Sequence, residues 1–158
     1  MTSDPAAIID RAAELGLTIA TAESLTAGAV VARLVDVPGA SAVIAGGAAC
    51  YSYSAKSRVL GVDAGLLVSR GAVAPEVATA MADGALALYG TDLAVATTGV
   101  AGPGPDERGV PEGTLWVGLA RRDGETSVRE LHLSGGRARI RAAAVDAALE
   151  DLGSALGC

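Results

Sequence analysis

A chain of 158 residues, 51% hydrophobic and 19% charged, is long enough to bury roughly 70% of the surface its unfolded form exposes and too apolar to remain disordered. Its net charge of −6 sets the average surface field against a phosphate backbone, so nucleic acid is not an expected partner. Cys50 lies in an apolar run and Cys158 at the end, which makes neither a disulfide framework nor a metal-ligand spacing. With no basic and apolar leader, and no unbroken apolar run of about 18 residues, the expectation is a cytoplasmic protein without a membrane partner.

The chain holds no Phe, one Trp and three Tyr. Ala, Val, Leu and Gly must therefore fill the core, and backbones must approach closely. Ser3-Asp4-Pro5 before AAIIDRAAEL predicts a capped helix that stops at Gly16. LTIATA (17–22) predicts a strand turning directly into a helix over SLTAGAVVARLVDV. SAVIAGGAACYSY (41–53) predicts a glycine-loosened strand, followed by a short helix over AKSRVLG capped by Ser54, and another brief helix ends at Gly71. Pro75 opens a longer amphipathic helix that Gly90 closes.

LAVATTGV (93–100) predicts a strand running into the irregular loop AGPGPDERGVPEG. Strands over 113–122 and 126–133 flank Asp123-Gly124, a hairpin signal that makes them antiparallel neighbours. A long helix with arginines in its first turns ends the chain. Strands interleaved with helices, plus that C-terminal antiparallel hairpin, predict an α/β fold. It is a three-layer α/β/α arrangement with a mixed sheet, and residues 1–158 form one domain.

Of the 12 basic residues, 11 are arginine and one is Lys56. Arginine cannot give up its proton, whereas a buried lysine shifts toward neutrality, so Lys56 is a candidate general base. A lysine left on a surface helix is the plain alternative. Ser24 sits where the first strand turns into a helix, close to backbone amides able to hold an oxyanion or a phosphate; an ordinary helix-capping serine is its plain alternative. The sole histidine, His132, lies in an alternating strand with no aspartate placed to orient it. A Ser-His-Asp triad is thereby excluded in favour of a Ser-Lys pair.

Tyr51, near Lys56, could bond the lysine or relay a proton, while Tyr53, on the opposite strand parity, should face away. Thr98, Gly99 and Gly102 are small residues that would let a ligand approach the backbone. Arg137, Arg139 and Arg141 oppose the dipole of the helix they begin, a cost that an anionic ligand would offset. Glu23 is given no role beyond supporting the turn.

The segments TAESLTAG, YSYSAKSRVLGV, GAVAPEVA, TTGVAGPGP, EGTLWVGLA and GGRARIR, in this order, resemble the C-terminal domain of the CinA family, also described as nicotinamide-nucleotide amidohydrolase. The resemblance covers nearly the whole chain. It implies an α/β/α domain that hydrolyses the carboxamide of nicotinamide mononucleotide (NMN) to nicotinate mononucleotide and ammonia, without metal or cofactor. It also implies Ser24 as nucleophile, Lys56 as base and Tyr51 as catalytic partner. Substrate binding would fall to Thr26, Gly28, Thr98, Gly99 and Gly102, with Arg141 on the phosphate and Arg137 as a second phosphate ligand.

Four positions depart from the family pattern. Leu25 and Ala27 stand where it commonly has Cys and Gly, Gly136 replaces an aspartate before the last helix, and Val110-Pro111-Glu112-Gly113 loses a lysine. The molybdopterin-binding-like domain of longer members, and any pyrophosphatase activity with it, is not expected. Two other functions are consistent with the residues: a non-catalytic nucleotide-binding module, or an amidohydrolase for another small carboxamide. The small-residue surface makes a homodimer an expected assembly.

Overall fold

The computed structural model describes residues 4–158. Ser3 of the predicted cap lies outside them. Asp4 caps helix α1 (Pro5–Leu15) by accepting the Ala6 amide, and Gly16 closes it at φ 65°. The chain then runs through β1 (Ile19–Glu23), α2 (Ala29–Val35), a single 3₁₀ turn (Ala40–Ala42) and β2 (Ile44–Ala49). Helices α3 (Tyr53–Leu60), α4 (Ala64–Arg70) and α5 (Pro75–Tyr89) precede β3 (Leu93–Gly99) and the hairpin of β4 (Thr114–Arg121) and β5 (Ser127–His132). Helix α6 (Arg137–Leu156) completes the fold.

The five strands stand in the order β2-β1-β3-β4-β5. β1 is parallel to both β2 and β3, while β3 with β4 and β4 with β5 are antiparallel. The predicted mixed sheet and its C-terminal hairpin are both present.

The two faces of the sheet divide by side-chain size. Ile19, Leu93, Val95, Leu115, Val117 and Leu119 face α1, α2 and α6 in one core. Ala20, Ala22, Ala94, Ala96 and Ala120 face the other core, with Val77, Met81 and Ala85 of α5. Alanine and glycine bring α5 onto the sheet: a Cβ on Gly118 would stand 2.5 Å from the Ala78 carbonyl oxygen, closer than real Cβ contacts allow. This close approach is how a chain without Phe achieves a packed interior.

Three sequence expectations shift. The second strand ends at Ala49 instead of reaching residue 53, and its first predicted residues form the 3₁₀ turn. The cap of α3 is Ser52, whose hydroxyl accepts the Ala55 amide at 3.0 Å, so Ser54 lies inside the helix. Helix α2 starts at Ala29 because Ala27 (φ 52°) and Gly28 (φ 96°) adopt left-handed backbone that no helix continues through.

The connection from β1 runs to β2 on one side, and the chain then passes back over β1 to place β3 on its other side. The carboxyl ends of β1 and β3 therefore flank a topological switch point, where open α/β sheets leave a crevice for ligands. Ser24 follows the end of β1, and Thr98 and Gly99 end β3.

Candidate active site

Helix α3 projects Lys56 inward until its side chain is only 1% exposed. Its Nζ lies 2.9 Å from Ser24 Oγ and 3.0 Å from the Cys50 carbonyl oxygen. Among the described residues no carboxylate pairs with it. Burial pushes the ammonium down from its usual 10.5 to about 8, opposed in part by the adjacent Cys50 thiol. A lysine this close to neutrality, with its nitrogen on a serine hydroxyl, can take that proton.

The turn that presents Ser24 is held from several directions. The Ser24 amide donates to the Thr97 carbonyl at 2.9 Å, tying the turn to β3. Glu23, 1% exposed, points its carboxylate back into the turn and accepts five hydrogen bonds. They come from the hydroxyls of Thr21 (3.0 Å) and Thr26 (2.7 Å) and from the amides of Gly28 (2.9 Å), Val30 (3.0 Å) and Val31 (2.9 Å). Arg141 reaches over from α6 to donate to the carbonyls of Leu25 (2.8 Å) and Thr26 (3.3 Å).

These contacts correct the expectation that the first amides of α2 are free for an oxyanion or a phosphate. Glu23 consumes those of Gly28, Val30 and Val31. The amides that find no acceptor among the described residues are those of Leu25 and Thr26, directly after the serine. Both residues are buried, and neither lines the cavity over the serine.

A cavity of about 310 Å³ opens over the pair and is lined by Ser24, Lys56, Tyr51, Thr98, Gly99 and Arg137 among others, Gly102 included. Thr26, Gly28 and Arg141, expected to bind substrate, do not line it; they build the turn. The Thr98 hydroxyl donates to the Ala72 carbonyl at 2.7 Å, fixing the cavity wall to the loop before α5. Tyr51 is 62% exposed, and its hydroxyl accepts from Arg137 Nη2 at 3.1 Å; Lys56 bonds Ser24 and Cys50 instead. The second arm of Arg137 donates to the Gly102 carbonyl at 2.6 Å.

Tyr53, expected to face away, lines the same cavity. Strand parity fails there because β2 has already ended and Tyr53 is the first residue of α3. Asp106 and Glu107 also line the cavity. Nothing in the spacing of the Gly-Pro loop announced them, although its two adjacent acids were visible. His132 is exposed and stands 3.5 Å from Glu130, and it does not line this cavity. Among the described residues no group of three or more His, Cys, Asp or Glu is placed to hold a metal ion, and no helix is long and apolar enough to cross a membrane.

Residues 2–156 match the model of the CinA C-terminal domain. A CinA-like protein of Mycolicibacterium vanbaalenii is 46% identical over 157 residues, 98% of this chain and 37% of that protein. One from Chlorobium luteolum is 46% identical over 94% of this chain and 36% of its own length. The chain thus spans little more than a third of these curated relatives. Among solved structures, a CinA superfamily protein from Klebsiella pneumoniae superposes with a TM-score of 0.93 at 32% identity, covering 97% of this chain and 95% of that one. The competence/damage inducible protein CihA from Agrobacterium tumefaciens gives 0.86 at 37% identity, with both chains fully covered. The α/β fold, the segments shared in order and the match over nearly the whole length agree: the chain belongs to the CinA C-terminal domain family.

Proposed function

We propose that the chain is a Ser-Lys amidohydrolase that converts the carboxamide of NMN to a carboxylate. The observation that carries this reading is the buried Lys56 Nζ, 2.9 Å from Ser24 Oγ. A lysine with its pKa lowered to about 8 is neutral in about a tenth of molecules at neutral pH, enough for a general base.

In the proposed reaction neutral Lys56 accepts the Ser24 proton as Oγ attacks the carboxamide carbon, forming a tetrahedral oxyanion within the cavity. Collapse breaks the C–N bond, and the lysine returns its proton to the departing nitrogen, releasing ammonia. The ester left on Ser24 is then hydrolysed by water, with Lys56 again taking a proton, to give the nicotinate product and free serine. Arg137, which lines the cavity, is the residue for the 5′-phosphate, with Tyr51 holding its guanidinium; charge-assisted contacts there orient the ring on the serine.

The test is ammonia release from NMN by the purified chain, beside Ser24→Ala and Lys56→Met. Turnover by the parent that is lost in both variants supports the reading. A folded parent that binds NMN without releasing ammonia points instead to a nucleotide-binding module, and release only from amides lacking a phosphate points to another substrate.

A further inference from the structure

The cavity contains two charged groups of opposite sign that have no ionic partner among the described residues. Among the described residues Arg137 donates only to neutral oxygens, the Gly102 carbonyl and the Tyr51 hydroxyl. Glu107 takes part in no ion pair among the described residues; its carboxylate accepts from the Tyr53 hydroxyl at 3.3 Å.

The neighbouring charges are committed elsewhere. Asp106 Oδ1 accepts the amides of Arg108 (2.9 Å) and Val110 (2.8 Å) and so builds the loop. The Arg108 guanidinium is spent on the carbonyls of Val68 and Ser69. Of the two carboxylates lining the cavity, Glu107 is the one not bound to backbone.

Two tyrosines that flank the α3 cap thus each carry one charge: Tyr51 holds the cation and Tyr53 the anion. A ligand that compensates both must itself be zwitterionic, with an anionic group for Arg137 and a cationic centre for Glu107. Resting on the hydrolysis proposed above, we propose that Glu107 is a specificity-determining residue, selecting substrates whose carboxamide is carried on a positively charged ring. The pyridinium of NMN has this charge, and the dihydropyridine ring of reduced NMN lacks it. Glu107 takes no part in bond making; its carboxylate lowers the free energy of the cationic ring in both the bound and the reacting state, so its effect belongs to KM.

The experiment measures the affinity of Ser24→Ala for NMN and for reduced NMN by calorimetry, then repeats both in Ser24→Ala/Glu107→Gln. Glutamine keeps an oxygen for the Tyr53 hydroxyl and removes only the charge. Selection by charge predicts that NMN binds about fivefold tighter than its reduced form, the size of one partly solvated charge pair, and that Glu107→Gln erases the preference by weakening NMN alone. In the Ser24-containing enzyme, Tyr53→Phe, which releases the carboxylate, should raise KM for NMN and leave kcat unchanged.

Equal affinity for the two ring forms in Ser24→Ala, binding of neither, or equal loss of both on Glu107→Gln overturns the assignment. The last outcome would place the carboxylate on ligand hydroxyls. The binding measurement is independent of turnover. A charge preference without ammonia release would therefore count against the hydrolysis and leave Glu107's role standing, and ammonia release without the preference would do the reverse.

Discussion

The Nε of Arg141 donates to the Leu25 carbonyl at 2.8 Å, so the last helix grips the turn that carries Ser24 instead of reaching the cavity. Arg137 and Arg141 of α6 therefore divide their work. Arg141→Ala should lower kcat by about tenfold with little change in KM, because it loosens the nucleophile. Arg137→Ala should raise KM by about tenfold or more and leave the chemical step close to its parent rate. Steady-state kinetics of both variants on NMN checks the division; interchange of the two patterns would reverse the assignments.

Glu23→Gln should destabilise the fold by about 3 kcal/mol in urea unfolding, since an amide cannot accept on both of its polar atoms and at least one buried donor loses its acceptor. The five contacts to Glu23 also fix the serine's turn, so kcat should fall further than the fraction unfolded explains. A variant of parental stability and rate would show that the carboxylate is dispensable.

Ala27 at φ 52° stands in a left-handed conformation that costs an L-residue about 1 kcal/mol. Ala27→Gly should raise stability by a similar amount, less what the glycine adds to the entropy of the unfolded chain. The midpoint of chemical unfolding measures it, and a fall in the midpoint would contradict the strain.

How far the sequence was legible follows from where each signal resides. α1 and α5 were readable because their boundaries are local: Pro5 and Pro75 open them, Gly16 and Gly90 close them. Ser24 was singled out by the turn that carries it and Lys56 as the one lysine among the basic residues, and the structure brings the two into contact. Tyr53 was misread because alternation holds only while a strand lasts, and β2 stops at Ala49. That Glu23 supports the turn was legible, but its five donors were not, because they are gathered by the left-handed bend at Ala27 and Gly28; Arg141 was placed on the ligand because its real partners lie over a hundred positions away. The loss of the α2 amides to Glu23 is a matter of the same kind: a helix start advertises its donors in sequence, but not which side chain consumes them.

Stability should carry the signature of Lys56. Its folded pKa of about 8 lies below its usual 10.5, so between those values the unfolded chain binds more protons than the folded one and stability rises with pH. Below about pH 8 the lysine's contribution is flat, with its full penalty present. The unfolding free energy of the parent, minus that of Lys56→Met, should increase from about pH 8 to about pH 10. A difference that is constant over this range would mean that the buried amine keeps an ordinary pKa.

The pH dependence of kcat/KM for ammonia release reports whether a buried neutral lysine activates Ser24. With neutral Lys56 as base, the rate climbs about tenfold per pH unit below the lysine's pKa and levels near pH 8, with no activity in Ser24→Ala or Lys56→Met across the range. A profile that is flat from about pH 6 to about pH 9, or ammonia release that survives either substitution, would contradict that role for Lys56.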